Sequence, residues 1–528
     1  MFPWTFLRSA PGLLLACACL AHADDTFRIS GSVVNSATGE AICGGLVTLT
    51  FLSARPGTSS NSRLPNHVVT GPVGEFRFSE LATGEYIIRA AKPGFTTEPQ
   101  GAQEIIDIGP SRDGMVLRLA PFGKVHGRVT DTGGAAIAFA AVRLFRSEIL
   151  DGRRRITESR SVTADDLGRY RCWNLPPGTY FAVTAGRGGG TQLFVGYTVA
   201  APNSHEGFMP VYFGGGNTRA SATPISLSLG QDFEANMEVV LQPVASVRGR
   251  ITNLRPYQAV TVELLREERD HTSANRAAVN TATGQFELHD VGPGTYLLRA
   301  TQGTGDAATR GECALRMADS DIDGVTLDLR PGVDVTGKLQ QAPADQQGVR
   351  AFAAFELEPV DEPPRAGFGR PPTFAVPGND LVIHGVFPGR YRLRFNKVGG
   401  YIASARSGDA DLLHGGELVV SAGSAPAPVE ITMANDGGRI SGSTTEAAEE
   451  QTILLVPANG AEPETFKAIL GKFDTADIAP GDYQIFLLKD ANSIEYRNPE
   501  VVRSLQGGQF AHVSPGGTVE VELKEAAQ

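Results

Sequence analysis

Cysteine, tryptophan and methionine are scarce in this chain: five, two and six among 528 residues. Cys17 and Cys19 stand close to the amino terminus. The other three, Cys43, Cys172 and Cys313, are far apart, with no CxxC pair and no His/Cys spacing of a zinc site. They read as buried free thiols rather than as a disulfide framework. A basic surplus is also missing. The net charge of -11 opposes binding to polyanions, which excludes nucleic acid as a partner. One dense basic run exists, Arg153-Arg154-Arg155 beside Asp151 and Glu158, and it reads as a solvated loop. No HExxH, GxSxG, phosphate loop or dinucleotide fingerprint occurs, and no carboxylate pair stands out for acid–base work. The chain is therefore expected to be no enzyme and to carry no cofactor and no metal. Beyond the first residues no apolar run approaches the ~18 residues of a membrane helix.

What is present begins with a leader. Residues 1–23 have Arg8 as their only charge, an apolar stretch Gly12-Leu13-Leu14-Leu15-Ala16, and Ala21-His22-Ala23 as a small-x-small cleavage site. This predicts export, with cleavage after Ala23. Leu14-Leu15-Ala16-Cys17 resembles a lipobox, and the alternative is a lipid anchor at Cys17. The expected locations are periplasmic, outer-membrane-associated or extracellular. Hydrophobic residues at 41 % and charged ones at 20 % are a globular balance, and frequent glycine and proline suit short strands joined by turns.

One phrase recurs five times, at 74–86, 168–180, 284–296, 379–391 and 471–483. Its third residue is apolar: Phe76, Tyr170, Phe286, Leu381, Phe473. A glycine follows at a fixed offset (Gly84, Gly178, Gly294, Gly389, Gly481), and a tyrosine two further on (Tyr86, Tyr180, Tyr296, Tyr391, Tyr483). The phrase reads as strand, tight turn, strand, with the tyrosine hydroxyl sent to a backbone group at the corner. Each unit opens on a second phrase around Gly31, Gly127, Gly249, Gly337 or Gly442, a half-buried strand whose glycine marks a bulge or a close backbone approach. An alternating strand closes each unit, as in Val325-Thr326-Leu327-Asp328-Leu329. About six or seven short strands per unit, with no convincing helix, predict β-sandwiches. The fold class is all-β: a tandem array of about five Ig-like or prealbumin-like sandwiches, at 24–121, 122–243, 244–331, 332–434 and 435–528. The links between units are short, which predicts a rod with limited bending.

This pattern resembles the carboxypeptidase regulatory-like domain family, whose members are transthyretin-like (prealbumin-like) sandwiches grouped with carbohydrate-binding-like folds and collagen-adhesin B-type repeats. Val247-Arg248-Gly249-Arg250-Ile251 and the phrase at 284–296 match its signature well. Unit one has Ala82-Thr83 for the proline dipeptide, unit four Asn379 for the turn glycine, and unit five Thr444 and Thr475 at apolar positions. The resemblance implies fold and is nearly silent on function. In metallocarboxypeptidases such a domain accompanies a catalytic one, and none is recognisable here. Collagen-adhesin repeats often carry a Lys–Asn crosslink, for which Lys124 is the nearest candidate.

Three features invite chemistry. Asp319-Ser320-Asp321-Ile322-Asp323-Gly324 begins like a calcium loop, but Arg330 stands where the twelfth-position glutamate belongs, so a turn before the closing strand is expected. His289 and His384 occupy equivalent places in separate units. Unit two alone carries aromatics between glycine runs: Phe194, Tyr197, Phe208, Tyr212 and Phe213 between Gly188-Gly189-Gly190 and Gly214-Gly215-Gly216. A binding loop would use such residues, and Tyr197, Phe208, Tyr212 and Phe213 are the candidate ligand-binding residues. The competing reading is that these rings cap the sandwich or pack on a neighbour. The functional expectation is an exported bacterial structural or protein-interaction module with an unknown protein or glycan partner. The alternative is a carbohydrate-binding protein using the aromatic loop of unit two.

Overall fold

A computed structural model describes residues 27–53, 66–81, 83–96, 103–108, 111–187, 206–266, 273–341, 352–360, 373–375, 380–445 and 450–526. The leader, Cys17 and Tyr197 lie outside these residues. The chain divides into two compact units, Met1–Gly123 with Ser228–Gln231, and Lys124–Leu227 with Asp232–Gln528.

The first unit is one β-sandwich. One sheet runs Glu75–Leu81, Phe27–Asn35, Arg112–Pro121, Phe95–Thr96, and the other Asn66–Val69, Leu46–Ser53, Gly84–Ala91, Gln103–Ile108. Alternate residues of both sheets, among them Ile29, Val33, Leu49, Phe76, Ile88 and Leu117, fill the space between them. The second unit holds four more cores, spanning Val125–Val239, Ala245–Leu329, Val335–Met433 and Ile440–Leu523. We number the corresponding sandwiches second to fifth. The architecture is all-β.

Each sandwich is built on the same central pair. In the first, third, fourth and fifth the opening strand lies antiparallel to the strand of the repeated phrase and parallel to the closing strand; in the second it neighbours Arg169–Leu175 and runs parallel to Asp232–Glu234 and Met237–Val239. In the third sandwich Gly249 faces Phe286 on one side and Val325 on the other. A Cβ on Gly249 would overlap the Val325 carbonyl oxygen and the Phe286 ring. Gly31, Gly127 and Gly442 are enclosed in the same way, by Met115 and Phe76, by Ala235 and Tyr170, and by Val521 and Phe473. In the fourth sandwich Leu381 replaces the ring, and the atoms nearest a Cβ on Gly337 are all from Val429. Of the two meanings expected for this glycine, the close backbone approach is the one found.

The repeated phrase carries the bulge instead. Four residues before its fixed glycine stands a left-handed residue: Glu80, Asn174, Asp290, Gly385 or Asp477, with φ between 56° and 63°. The pairing register slips there in the first, third, fourth and fifth sandwiches. The fixed glycine itself has φ between 152° and 157°, which a side chain rarely tolerates. The tyrosine two residues on then folds back. Its hydroxyl donates to the carbonyl four residues earlier: Tyr180 to Pro176 at 2.7 Å, Tyr296 to Gly292 at 3.1 Å, Tyr391 to Phe387 at 2.8 Å and Tyr483 to Ala479 at 2.7 Å. Ring burial and a satisfied hydroxyl together pin the corner.

Two features differ from expectation. A short helix, Pro499–Ser504, follows the inner strands of the fifth sandwich, capped by the Asn498 side chain on the Glu500 amide. With Ile494, Tyr496 and Leu505 it covers Leu454, Phe486 and Leu488 on the outer face of that sandwich. Arg153-Arg154-Arg155 is not a solvated loop. It starts the strand Arg153–Thr163, which pairs along its length with Ala140–Leu150 in a long hairpin. Asp151 and Gly152 form its two-residue turn with φ of 49° and 69°, the doubly left-handed geometry that Asp-Gly favours.

Candidate functional site

The aromatic insertion of the second sandwich packs largely on protein. Tyr212, on the short strand Val211–Tyr212, pairs with the strand Gly178–Arg187 that follows the turn and is buried with Phe145 and Val183. Phe213 is half-buried and meets Phe233 edge-on at 5.9 Å between ring centres. Phe208 lies on Glu206–Phe208, which pairs with Leu241–Pro243, and its ring packs half-buried against the core. Met209 is buried, and a Cβ on Gly292 of the third sandwich would overlap its side chain. The structure thus brings Tyr212 and Phe213 side by side and uses the insertion as a bracket toward the third sandwich. The cleft that remains holds about 620 Å³, with Tyr212, Phe213, Gly215, Asn217, Asn236 and Gln242 in its lining. Asn236 is already engaged: its carbonyl oxygen accepts from the Arg128 amide at 2.8 Å and its amide donates to Glu234 at 2.9 Å. Trp173 is exposed, on the outward side of its strand.

The acidic stretch before the third closing strand is neutralised from within. Arg248 donates to Glu287 at 2.6 Å and to Asp321 at 2.9 Å, with Asp323 at 3.4 Å. These hydrogen bonds, Glu287 first, raise the guanidinium above its ordinary range. The positions a cation would occupy are thus taken by an arginine. Arg28 and Asp113 make the corresponding bridge in the first sandwich, at 2.6 Å. Among the described residues no three His, Cys, Asp or Glu side chains gather as a metal would need.

Histidines pair locally with acids. His384 lies 3.0 Å from Asp334, and His126 lies 2.8 Å from Asp232. The other oxygen of Asp232 meets Lys124 at 2.6 Å. Lys124 and, after it, His126 hold the Asp232 carboxyl below its usual range. Lys124, the crosslink candidate, is thus held in a salt bridge with an aspartate. His289 has Ser246 at 3.4 Å and Glu287 at 3.6 Å, on an open sheet face with the histidine mostly exposed. Neither separation is a firm hydrogen bond, and Glu287 is already held by Arg248.

Of the cysteines, Cys172 is buried, Cys313 partly so, and Cys43 is exposed, against the expected burial; all three are free. Desolvation pushes the Cys172 thiol up to about 12.

No family model matches the chain, and no curated protein matches its sequence. Solved structures do. The TIE protein of Bacillus anthracis is 11 % identical over 58 % of this chain and 51 % of that one, with a TM-score of 0.18, so the chain spans about half the length of that protein. GBS52, the minor pilin of Streptococcus agalactiae, is 13 % identical over 41 % of this chain and 97 % of that one, with a TM-score of 0.24. The shaft pilin SpaA of Lactobacillus rhamnosus GG is 10 % identical over 42 % and 98 %, with a TM-score of 0.21. Identities this low speak to fold alone, and superpositions this partial carry no argument about function.

The basic run Arg153-Arg154-Arg155 and Asp151 take part in a cluster of ion pairs. The tip of the second sandwich's hairpin reaches the fourth and fifth sandwiches. Asp151 accepts from Arg497 at 3.1 Å and from the Tyr496 hydroxyl at 3.1 Å, and pairs with Arg394. The Arg497 amide donates to the Gly152 carbonyl at 3.0 Å. Arg153 pairs with Glu462, which also takes Arg497. Arg154 meets Glu495 at 2.6 Å, and Arg155 meets Glu358 at 2.6 Å. Burial, and then the neighbouring Arg497 charge, pull Arg394 below its ordinary value. The signal for this contact was the Asp151-Gly152 turn directly before the basic run.

Proposed function

We propose that this chain is an exported, non-catalytic structural or protein-interaction module of the cell envelope or exterior, built of carboxypeptidase regulatory-like repeats. The observation that carries the reading is where the repeated residues are spent. The phrase glycines, tyrosines and apolar residues all serve corners and cores, and the charges at the hairpin tip serve contacts between sandwiches. A chain organised this way holds surfaces at set distances. Test the reading by fractionating cells that express the tagged full chain and sequencing its amino terminus. An envelope or extracellular protein beginning at Asp24, or lipidated at Cys17, is expected; an uncleaved cytoplasmic protein overturns it.

A second reading, glycan binding, is favoured by one observation: aromatic residues, Tyr212 and Phe213, and amide residues, Asn217 and Gln242, line one cleft. A glycan array probed with the full chain decides it. Retention that Phe213→Ala abolishes would establish this reading over the first, and no retention removes it.

A further inference from the structure

We propose that the tip of the second sandwich's hairpin is a detachable latch, held by charge, that closes the second sandwich onto the fourth and fifth and releases as ionic strength rises. Three observations lead to it. The docked contact is nearly all ionic: Asp151 and Arg153 to Arg155 on the tip face Glu358, Arg394, Glu462, Glu495 and Arg497. Such pairs gain little when dry and lose little on release, because water replaces the partner at each charge.

Second, the one apolar contribution does not depend on docking. Tyr496 covers Gly152, where a Cβ would overlap the ring. The same ring belongs to the small cluster of Phe486, Leu488, Ile494 and Leu505 within the fifth sandwich. Undocking wets one face of a tyrosine and opens no core. The junction between the second and third sandwiches is built differently, with Met209 almost fully buried against Gly292.

Third, the hairpin keeps its own shape. Its strands are paired to the turn, from Ala141 with Thr163 to Leu150 with Arg153. Its root is held in the second sandwich's sheet, where Ala140–Ser147 pairs with Gly178–Arg187, and only the tip beyond Ser147 projects. A preformed arm can leave and return without paying folding entropy. Partly buried pairs are screened less than exposed ones, but the Debye length shrinks from about 8 Å at physiological ionic strength to about 3 Å at 1 M.

The Arg497 amide, bonded to the Gly152 carbonyl, reports closure directly. The test is hydrogen exchange on the full chain, with peptides covering 150–155 and 495–498, at about 50 mM and about 1 M sodium chloride. Small-angle scattering is measured alongside. Wild type, Arg497→Glu and Glu462→Lys are compared. At low salt the wild-type Arg497 amide is expected to be protected. In high salt, or in either variant, its exchange should rise by about tenfold or more and the radius of gyration should grow. Exchange in the strand Glu450–Pro457 should stay unchanged. Should Arg497→Glu raise exchange throughout the fifth sandwich, Glu462→Lys decides, since Glu462 lies outside the strands. Exchange at Arg497 that ignores both salt and Glu462→Lys would show a permanent joint and overturn the latch. An amide already unprotected in wild type at low salt would overturn it as well.

Discussion

At the opening glycine of each sandwich three strands meet: its own, the phrase strand and the closing strand. A methyl group there has no room, because the obstacles are a backbone carbonyl and, in four sandwiches, a ring wedged against the core. Gly249→Ala is expected to cost the third sandwich about 1–3 kcal/mol, as overpacking does. Faster hydrogen exchange confined to the strands around Val247 and Phe286 would register it. The cysteines behave by environment too. Cys172 is buried with its thiol raised to about 12, whereas Cys43 is exposed. Alkylation of the native protein near pH 8, mapped by mass spectrometry, should modify Cys43 readily and Cys172 only after unfolding.

At the level of the element, periodicity made strands legible, and fixed offsets made the corner legible. Alternation along Gln285–Val291 exposes its pattern directly, and the tyrosine two residues past Gly294 requires the turn that brings its hydroxyl back. The bulge was not legible, because Asn174, Asp290, Glu80 and Asp477 adopt left-handed backbone only under the register the neighbouring strand imposes. The helix Pro499–Ser504 was missed although Asn-Pro-Glu carries its own signal, a capping side chain followed by proline at the first helical position. The hairpin differs from the expected solvated loop because Asp151-Gly152 supplies a two-residue turn between strands whose charged residues find partners only in the folded chain. Its Arg155–Glu358 pair keeps both side chains mostly buried, 17 % and 16 % exposed. Arg155→Ala leaves Glu358 without its partner and is expected to weaken docking of the second on the fourth sandwich by about 2 kcal/mol. A double-mutant cycle with Glu358→Ala, read by exchange at the tip, would measure the coupling.

Within the second unit, the expectation of a simple rod gives way to contacts between non-neighbours, because one hairpin reaches past the third sandwich. Neighbours are joined as well. Arg310 of the third sandwich lies 4.2 Å over the Phe387 ring of the fourth, and the Tyr401 hydroxyl donates to Asp436 at 2.9 Å where the fourth meets the fifth. Desolvation first, then Asp436, raises Tyr401 to about 12; desolvation first, then Glu464, raises Tyr483 to about 12. An unfolded tyrosine titrates near 10. Folding therefore favours the neutral phenols. Their contribution is complete below about pH 10 and is lost as pH climbs from there toward about 12. Thermal unfolding followed from pH 9 to 12 should show the fourth and fifth sandwiches weakening first, with Tyr401→Phe and Tyr483→Phe flattening the decline.

The two recurring phrases determined by themselves the all-β class and the corner tyrosines, since both are written in local spacing that a pleated strand and a tight turn must obey, whereas the enclosure of the opening glycine needed the packed neighbours. Only the tertiary structure decided where the distinctive residues went. It took the aromatic insertion inward, gave the acidic loop to Arg248, and carried the basic run across to the fourth and fifth sandwiches. For the acidic loop and the basic run those outcomes depend on partners 39 to 346 residues away, and no local pattern encodes a meeting over that distance.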